Sequence, residues 1–350
     1  LQFLPLSIIP CAGGLLIFFF APLQNYGNHP NMGVCVACFT RDIAGALKLH
    51  GVEKLSYIRP EITGFILGSF IISLFTKEFK STGGSSPIIR FLLGMFMMVG
   101  ALVFLGCPNR MGGRLAGGDW TAIGGILGFT AGIFTGALFL KQGFTLGRAR
   151  NTHTVNGLVL PAAALLLVAA LLVKPGFIRL TGTSHAAVWL SLGAGMLIGI
   201  LGQRSRLCFA GGIRDFILMR DMHLLQGMFI FIIAVCIMNL VLGLFNPGAS
   251  PVAHANHIQN FLGMALVGLC AVLLGGCPFR QTIMAGKGSA DAGMAFLGML
   301  FGAGFAHNFA LAAKPMNEQS AGGIGFTGWG ALIAGLVFCL VLGFTAKDKQ

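Results

Sequence analysis

The sequence predicts an all-α polytopic membrane protein, and three observations carry that prediction. Charged residues make up 9% of the 350 positions and hydrophobic residues 55%. A soluble domain carries about 25% charge, and so few charges could not cover a water-facing surface. The apolar positions also form continuous runs of helix length, not the weak alternating strands of an outer-membrane barrel. Finally, glycine reaches 53 residues. In a bilayer, small residues let helices approach closely and let them break around sites.

Ten stretches are long enough to span: 3–22, 61–76, 88–106, 121–140, 157–173, 187–201, 226–245, 260–276, 292–313 and 328–345. The first lacks a basic leading region and a cleavage site, so it reads as a membrane helix and not a signal peptide. Trp120, Trp189 and Trp329 open their stretches, where an interfacial indole belongs. Two further stretches, 33–49 and 205–219, are apolar but short, and each holds an Arg-Asp pair. They read as broken or re-entrant helices lying against protein.

An internal repeat organises the chain. Cys35, Arg41 and Asp42 recur as Cys208, Arg214 and Asp215 at an offset of 173. Gly106-Cys107-Pro108-Asn109-Arg110 recurs as Gly276-Cys277-Pro278-Phe279-Arg280 at an offset of 170. Gly128, Gly132 and Gly136 recur as Gly298, Gly302 and Ala306 at the same offset. The expectation is one integral membrane domain made of two repeats, 1–175 and 176–350. Each repeat crosses five times if the short motif helices do not span. An odd number inverts the second repeat, as in many transporters whose site lies at the repeat interface. Net charge is +13, and most of it lies in connections. Lys and Arg number 14 on the termini side and 9 on the other, which favours cytoplasmic termini.

The duplicated Cys-Pro-x-Arg is the main chemical signal. Proline cannot continue a helix but suits its first turn. Cys107 and Cys277 are therefore expected at the N-caps of new short helices. Such an end offers free N–H groups and partial positive charge, which favour anions. Arg110 and Arg280 add a cation one turn later. Soft sulfur, free N–H groups and a cation together suit an anion with a polarisable end. The bland alternative is a span that ends at Gly-Cys-Pro with an interfacial arginine, and duplication weighs against it. For Arg41-Asp42 and Arg214-Asp215 the structural reading is preferred: ion pairs that lock the short helices to the bundle.

Cys35 and Cys38 form a single CxxC, with Gly211 where a second copy of Cys38 would fall. That leaves a redox pair or half a metal site as weak possibilities. Cys11, Cys236, Cys270 and Cys339 sit in apolar runs and read as small hydrophobes. The glycine ladder reads as close helix packing. His307-Asn308 reads as a polar helix end, and no nucleotide-binding loop points to ATP-driven pumping.

The segments Cys208-Phe209-Ala210-Gly211-Gly212-Ile213-Arg214-Asp215 and Gly275-Gly276-Cys277-Pro278-Phe279-Arg280 resemble the signatures of the YeeE/YedE family of membrane proteins. The resemblance covers the whole chain through both repeats. It implies a bacterial inner-membrane transporter of sulfur compounds, thiosulfate in one branch, with no cofactor. It further implies that Cys35, Cys107, Cys208 and Cys277 line an hourglass-shaped path and pass the ion along by S–H hydrogen bonds. A small sulfur-carrier protein often accompanies such members. The run Arg114-Leu115-Ala116-Gly117-Gly118-Asp119-Trp120 after Cys107-Pro108-Asn109-Arg110 looks more like the branch associated with selenium metabolism. The expected function is thus transport of a small sulfur- or selenium-containing anion. Two alternatives stand beside it: an intramembrane thiol redox or sulfur-transfer protein, and a metal site built from the four symmetric cysteines.

Overall fold

The computed structural model describes residues 23, 26–28, 32–33, 35–248 and 252–347. The expected span 3–22 and Cys11 lie outside them. The regular structure of the described chain is helical, apart from one antiparallel pair of two-residue strands, β1 (Thr82–Gly83) and β2 (Arg150–Asn151), and a few isolated bridges. The helices are α1 (Val36–Ala46), α2 (Pro60–Phe75), α3 (Pro87–Val103), α4 (Pro108–Ala116), α5 (Ala122–Lys141) and α6 (Thr154–Val173). They continue as α7 (Val188–Ser205), α8 (Phe209–Met219), α9 (His223–Val241), α10 (His257–Leu274), α11 (Pro278–Gly286), α12 (Ala290–Asn308) and α13 (Phe326–Thr345).

Local signals set many of these ends. Pro60, Pro87, Pro108 and Pro278 occupy first-turn positions, where the missing N–H costs nothing. Asn256 and Ser289 cap α10 and α12 through their side-chain oxygens. Nine of the stretches expected to span are helices here. Seven segments of the described chain are long and apolar enough to cross a bilayer. Val188–Ser205 and Ala290–Asn308 are not among the seven, because glycine, alanine and polar ends dilute their hydropathy. Polar groups turn inward, while Leu165, Leu166, Ile233, Ile237, Val337 and Val341 point outward. Trp120 and Trp189 are 55% and 67% exposed, as interfacial indoles should be.

The core is built from crossings between the two halves. Helix α5 packs on α10, and α12 packs on α3. A Cβ on Gly128 would lie 1.9 Å from the Phe261 oxygen, and one on Gly298 would lie 2.1 Å from the Phe91 oxygen. Only glycine permits backbones this close. The offset of 170 exchanges these two crossings: 128 becomes 298, and 91 becomes 261. Helices α3 and α10 also pack on each other, α11 packs on α2, and α4 packs on α9.

Candidate functional site

Each short motif helix begins at a cysteine. Cys35 is the N-cap of α1, Cys107 of α4, Cys208 of α8 and Cys277 of α11. The break before Cys107 is made at Leu105, which adopts φ 61°; Gly275 holds the repeat-equivalent position at φ 83°. A leucine in the left-handed region costs roughly 1–2 kcal/mol, whereas glycine enters it freely.

The four cysteines form two pairs. In the first half, Cys35 Sγ accepts the N–H of Cys38 at 3.4 Å and the N–H of Cys107 at 3.4 Å. In the second, Cys208 Sγ accepts the N–H of Gly211 at 3.2 Å and the N–H of Cys277 at 3.5 Å. All four side chains are buried. Two helix N-termini therefore converge on each pair, α1 with α4 and α8 with α11. Each brings unsatisfied N–H groups and partial positive charge. We call these the first and second thiol stations.

The arginines differ between the stations. Arg110 is 2% exposed. Its guanidinium donates to the carbonyl of Leu105, to the Val252 oxygen at 3.2 Å and to Cys38 Sγ at 3.6 Å. Cys38 in turn donates to the Leu105 oxygen at 3.8 Å, so the unduplicated cysteine belongs to the first station. Arg280 is partly exposed and donates to the Gly202 oxygen at 3.3 Å. A strap of residues 252–256 closes over the first station. His254 Nε2 donates to the Val103 oxygen at 2.8 Å, and Asn260 Nδ2 donates to the His254 oxygen at 3.2 Å. Burial pushes the His254 imidazole below its ordinary value.

Both Arg-Asp pairs form contacts. Arg41 bonds Asp42 at 2.7 Å, and Asp42 also holds Arg59 at 2.6 Å, tying α1 to the start of α2. Arg214 bonds Asp215 at 2.7 Å in a more exposed setting. Among the described residues, no group of three or more His, Cys, Asp or Glu is arranged to hold a metal.

Sequence reasoning left several contacts unread. Arg114 and Asp119 form a fully buried ion pair at 2.7 Å. Arg114 also donates to the Phe104 oxygen and to Thr121, and it lies over the Phe104 ring at 4.2 Å. The spacing of five residues across a helix end was the available signal, since both groups fall where an unpaired charge would be costly. Arg59 and Glu61 flank Pro60 at the start of α2, and both are buried. Cys270 and Cys339, read as solitary hydrophobes, lie with sulfurs 3.4 Å apart. The His307 ring lies 4.8 Å from that of His50, and Asn308 donates to the Leu49 oxygen.

Residues 204–348 match the family model described as Sulphur transport. The matched stretch contains Cys208, Arg214, Asp215, Cys277 and Arg280, the motif residues on which the resemblance was drawn. A segment of 114 residues is 34% identical to the thiosulfate transporter TsuA of Spirochaeta thermophila (strain ATCC 700085 / DSM 6578 / Z-1203). It covers 31% of this chain and 33% of that protein, so the chain matches about a third of its relative's length.

Proposed function

We propose, from the match of residues 204–348 to the sulphur-transport family model, that the chain is a membrane transporter of a small sulfur-containing anion, thiosulfate in the first instance. The observation that carries this reading is the duplicated thiol station. In each, two helix N-termini and an arginine surround a pair of cysteines. A thiosulfate-like ion has oxygens for the N–H groups and guanidinium, and a soft terminal sulfur for the S–H groups. Thiol hydrogen bonds are weak and replaceable. Weak successive sites let an ion enter and still leave. The reading extends to two inverted repeats, 1–175 and 176–350, with cytoplasmic termini in a bacterial inner membrane. A selenium-containing anion of the same shape fits the same donors.

Uptake of labelled thiosulfate, selenite and sulfite in cells expressing the protein tests this reading. Cys107→Ala and Cys277→Ala are the informative variants. Each keeps the main-chain N–H that bonds the partner sulfur and removes only the thiol. Loss of uptake of one anion in both variants is the expected result and names the substrate. Unchanged uptake of all three anions in both variants would refute the role of the thiols.

A further inference from the structure

We propose that Glu61 is a proton-binding group that couples proton movement to transport; the inference rests on the transport reading above. Glu61 occupies the second position of α2 and is 0% exposed. Its Oε1 accepts from Asn28 Nδ2 at 3.0 Å and from Ser191 Oγ of α7 at 2.9 Å. Its Oε2 is equally buried and has no hydrogen-bond partner among the described residues.

The surrounding charges are nearly balanced. From α1 come Arg41 and Asp42, and from the start of α2 comes Arg59. Both arginines are committed to Asp42, at 2.7 and 2.6 Å. Arg59 reaches Glu61 only through Asn28, whose Oδ1 it bonds at 3.2 Å. Tyr57 lies in the field of Glu61, with a buried, unpartnered hydroxyl and its ring stacked 3.9 Å from His185. Helix α7 contributes Ser191. Helix α6 holds no titratable residue. Helix α11 meets α2 lower down, at Ile66 and Ser69, and Arg280 is its one titratable group.

A structural tie between α2, α7 and Asn28 needs only Oε1, and an amide would supply it. The second oxygen has no such use. A proton on Oε2 would leave both contacts of Oε1 in place. A carboxyl with one oxygen tethered and the other without a partner can take a proton onto Oε2 from one face and release it toward the other. Intramembrane carboxylates commonly mark such proton paths. The network also reaches the first station through one rigid element: Cys35 caps α1, and Arg41 and Asp42 lie two turns along it. The second half has no counterpart, since Arg214 and Asp215 are 27% and 15% exposed and bond each other. A proton moving with an anion also reduces the net charge carried across the membrane potential.

Purified protein in liposomes, supplied with labelled thiosulfate, separates the possibilities. In the wild type, an inward proton gradient is expected to raise steady-state accumulation about tenfold per unit of gradient for each coupled proton, the ratio that balances that driving force. Glu61→Gln is expected to lose this response and to keep thiosulfate counterflow at equal pH. A wild type indifferent to the gradient, or Glu61→Gln following it fully, would overturn the proposal. Absent counterflow in the wild type would instead overturn the transport reading. Should Glu61→Gln fail to fold, a hydrophobic carbodiimide on the wild type decides. Labelling of Glu61 that rises with acidity supports the proposal, and none at any pH refutes it.

Discussion

Asp119→Asn should be among the most damaging single-atom changes in the molecule. Asp119 is 1% exposed and serves three groups: Arg114 Nε at 2.7 Å, and the Thr121 N–H and hydroxyl at 2.9 and 2.6 Å. The amide keeps its oxygen toward Thr121 but withdraws the negative charge from Arg114, which is fully buried. Breaking a buried pair in this way costs about 3–5 kcal/mol, because the surviving charge has no compensation. At the lower end of roughly 2–4 °C per kcal/mol for large chains, the melting midpoint should fall by about 6–10 °C. Differential scanning fluorimetry in detergent reads this directly. Arg114→Met/Asp119→Asn should recover most of the loss, since replacing both charges is often near neutral. A single variant within a degree of wild type would refute the account. So would a double variant no better than the single.

Two further outcomes follow from the packing and the strap. Gly128→Ala and Gly298→Ala should each force a backbone apart by the shortfall between 1.9 or 2.1 Å and ordinary contact. Overpacking of this kind costs typically about 1–3 kcal/mol. The two variants should lower the melting midpoint similarly, and a harmless substitution at either position would contradict the close crossings. His254 is held neutral, with Nε2–H on a carbonyl and Nδ1 buried without a partner among the described residues. Its folded value lies below its unfolded one, so the folded state binds fewer protons. Its stabilising contribution is complete above about 6.5, the ordinary histidine value, and is lost as the pH falls below it. Melting midpoints of the wild type should therefore decline faster than those of His254→Gln on acidification, and parallel curves would refute this.

The helical class and the cysteines at helix N-caps were legible for a common reason: both are written in local sequence. Apolar runs announce helices, and a Cys-Pro dipeptide announces an N-cap. The repeat picked out Cys35, Cys107, Cys208 and Cys277. Only the fold shows that they divide as 35 with 107 and 208 with 277, because that depends on how α1 meets α4 and α8 meets α11. Arg110 and Arg280 looked equivalent as text, yet the 252–256 strap covers one and not the other. Cys270 and Cys339 are 69 residues apart on α10 and α13, and no periodicity links them. Glu61 was hidden among the apolar residues of an expected span, because pattern reading averages over the single charge that matters.

The exchanged crossings bear on how the chain is made. Helix α5 ends at Lys141, but the partner that covers its glycine face, α10, is complete only at Leu274. At about 5–20 residues per second, synthesis leaves that face without its mate for roughly 7–27 s. Helix α3 waits still longer for α12. During that interval the exposed glycine backbone lies against lipid or against the insertion machinery. The first half is thus born as an incomplete surface, and the nascent protein depends on its own second half to leave that state.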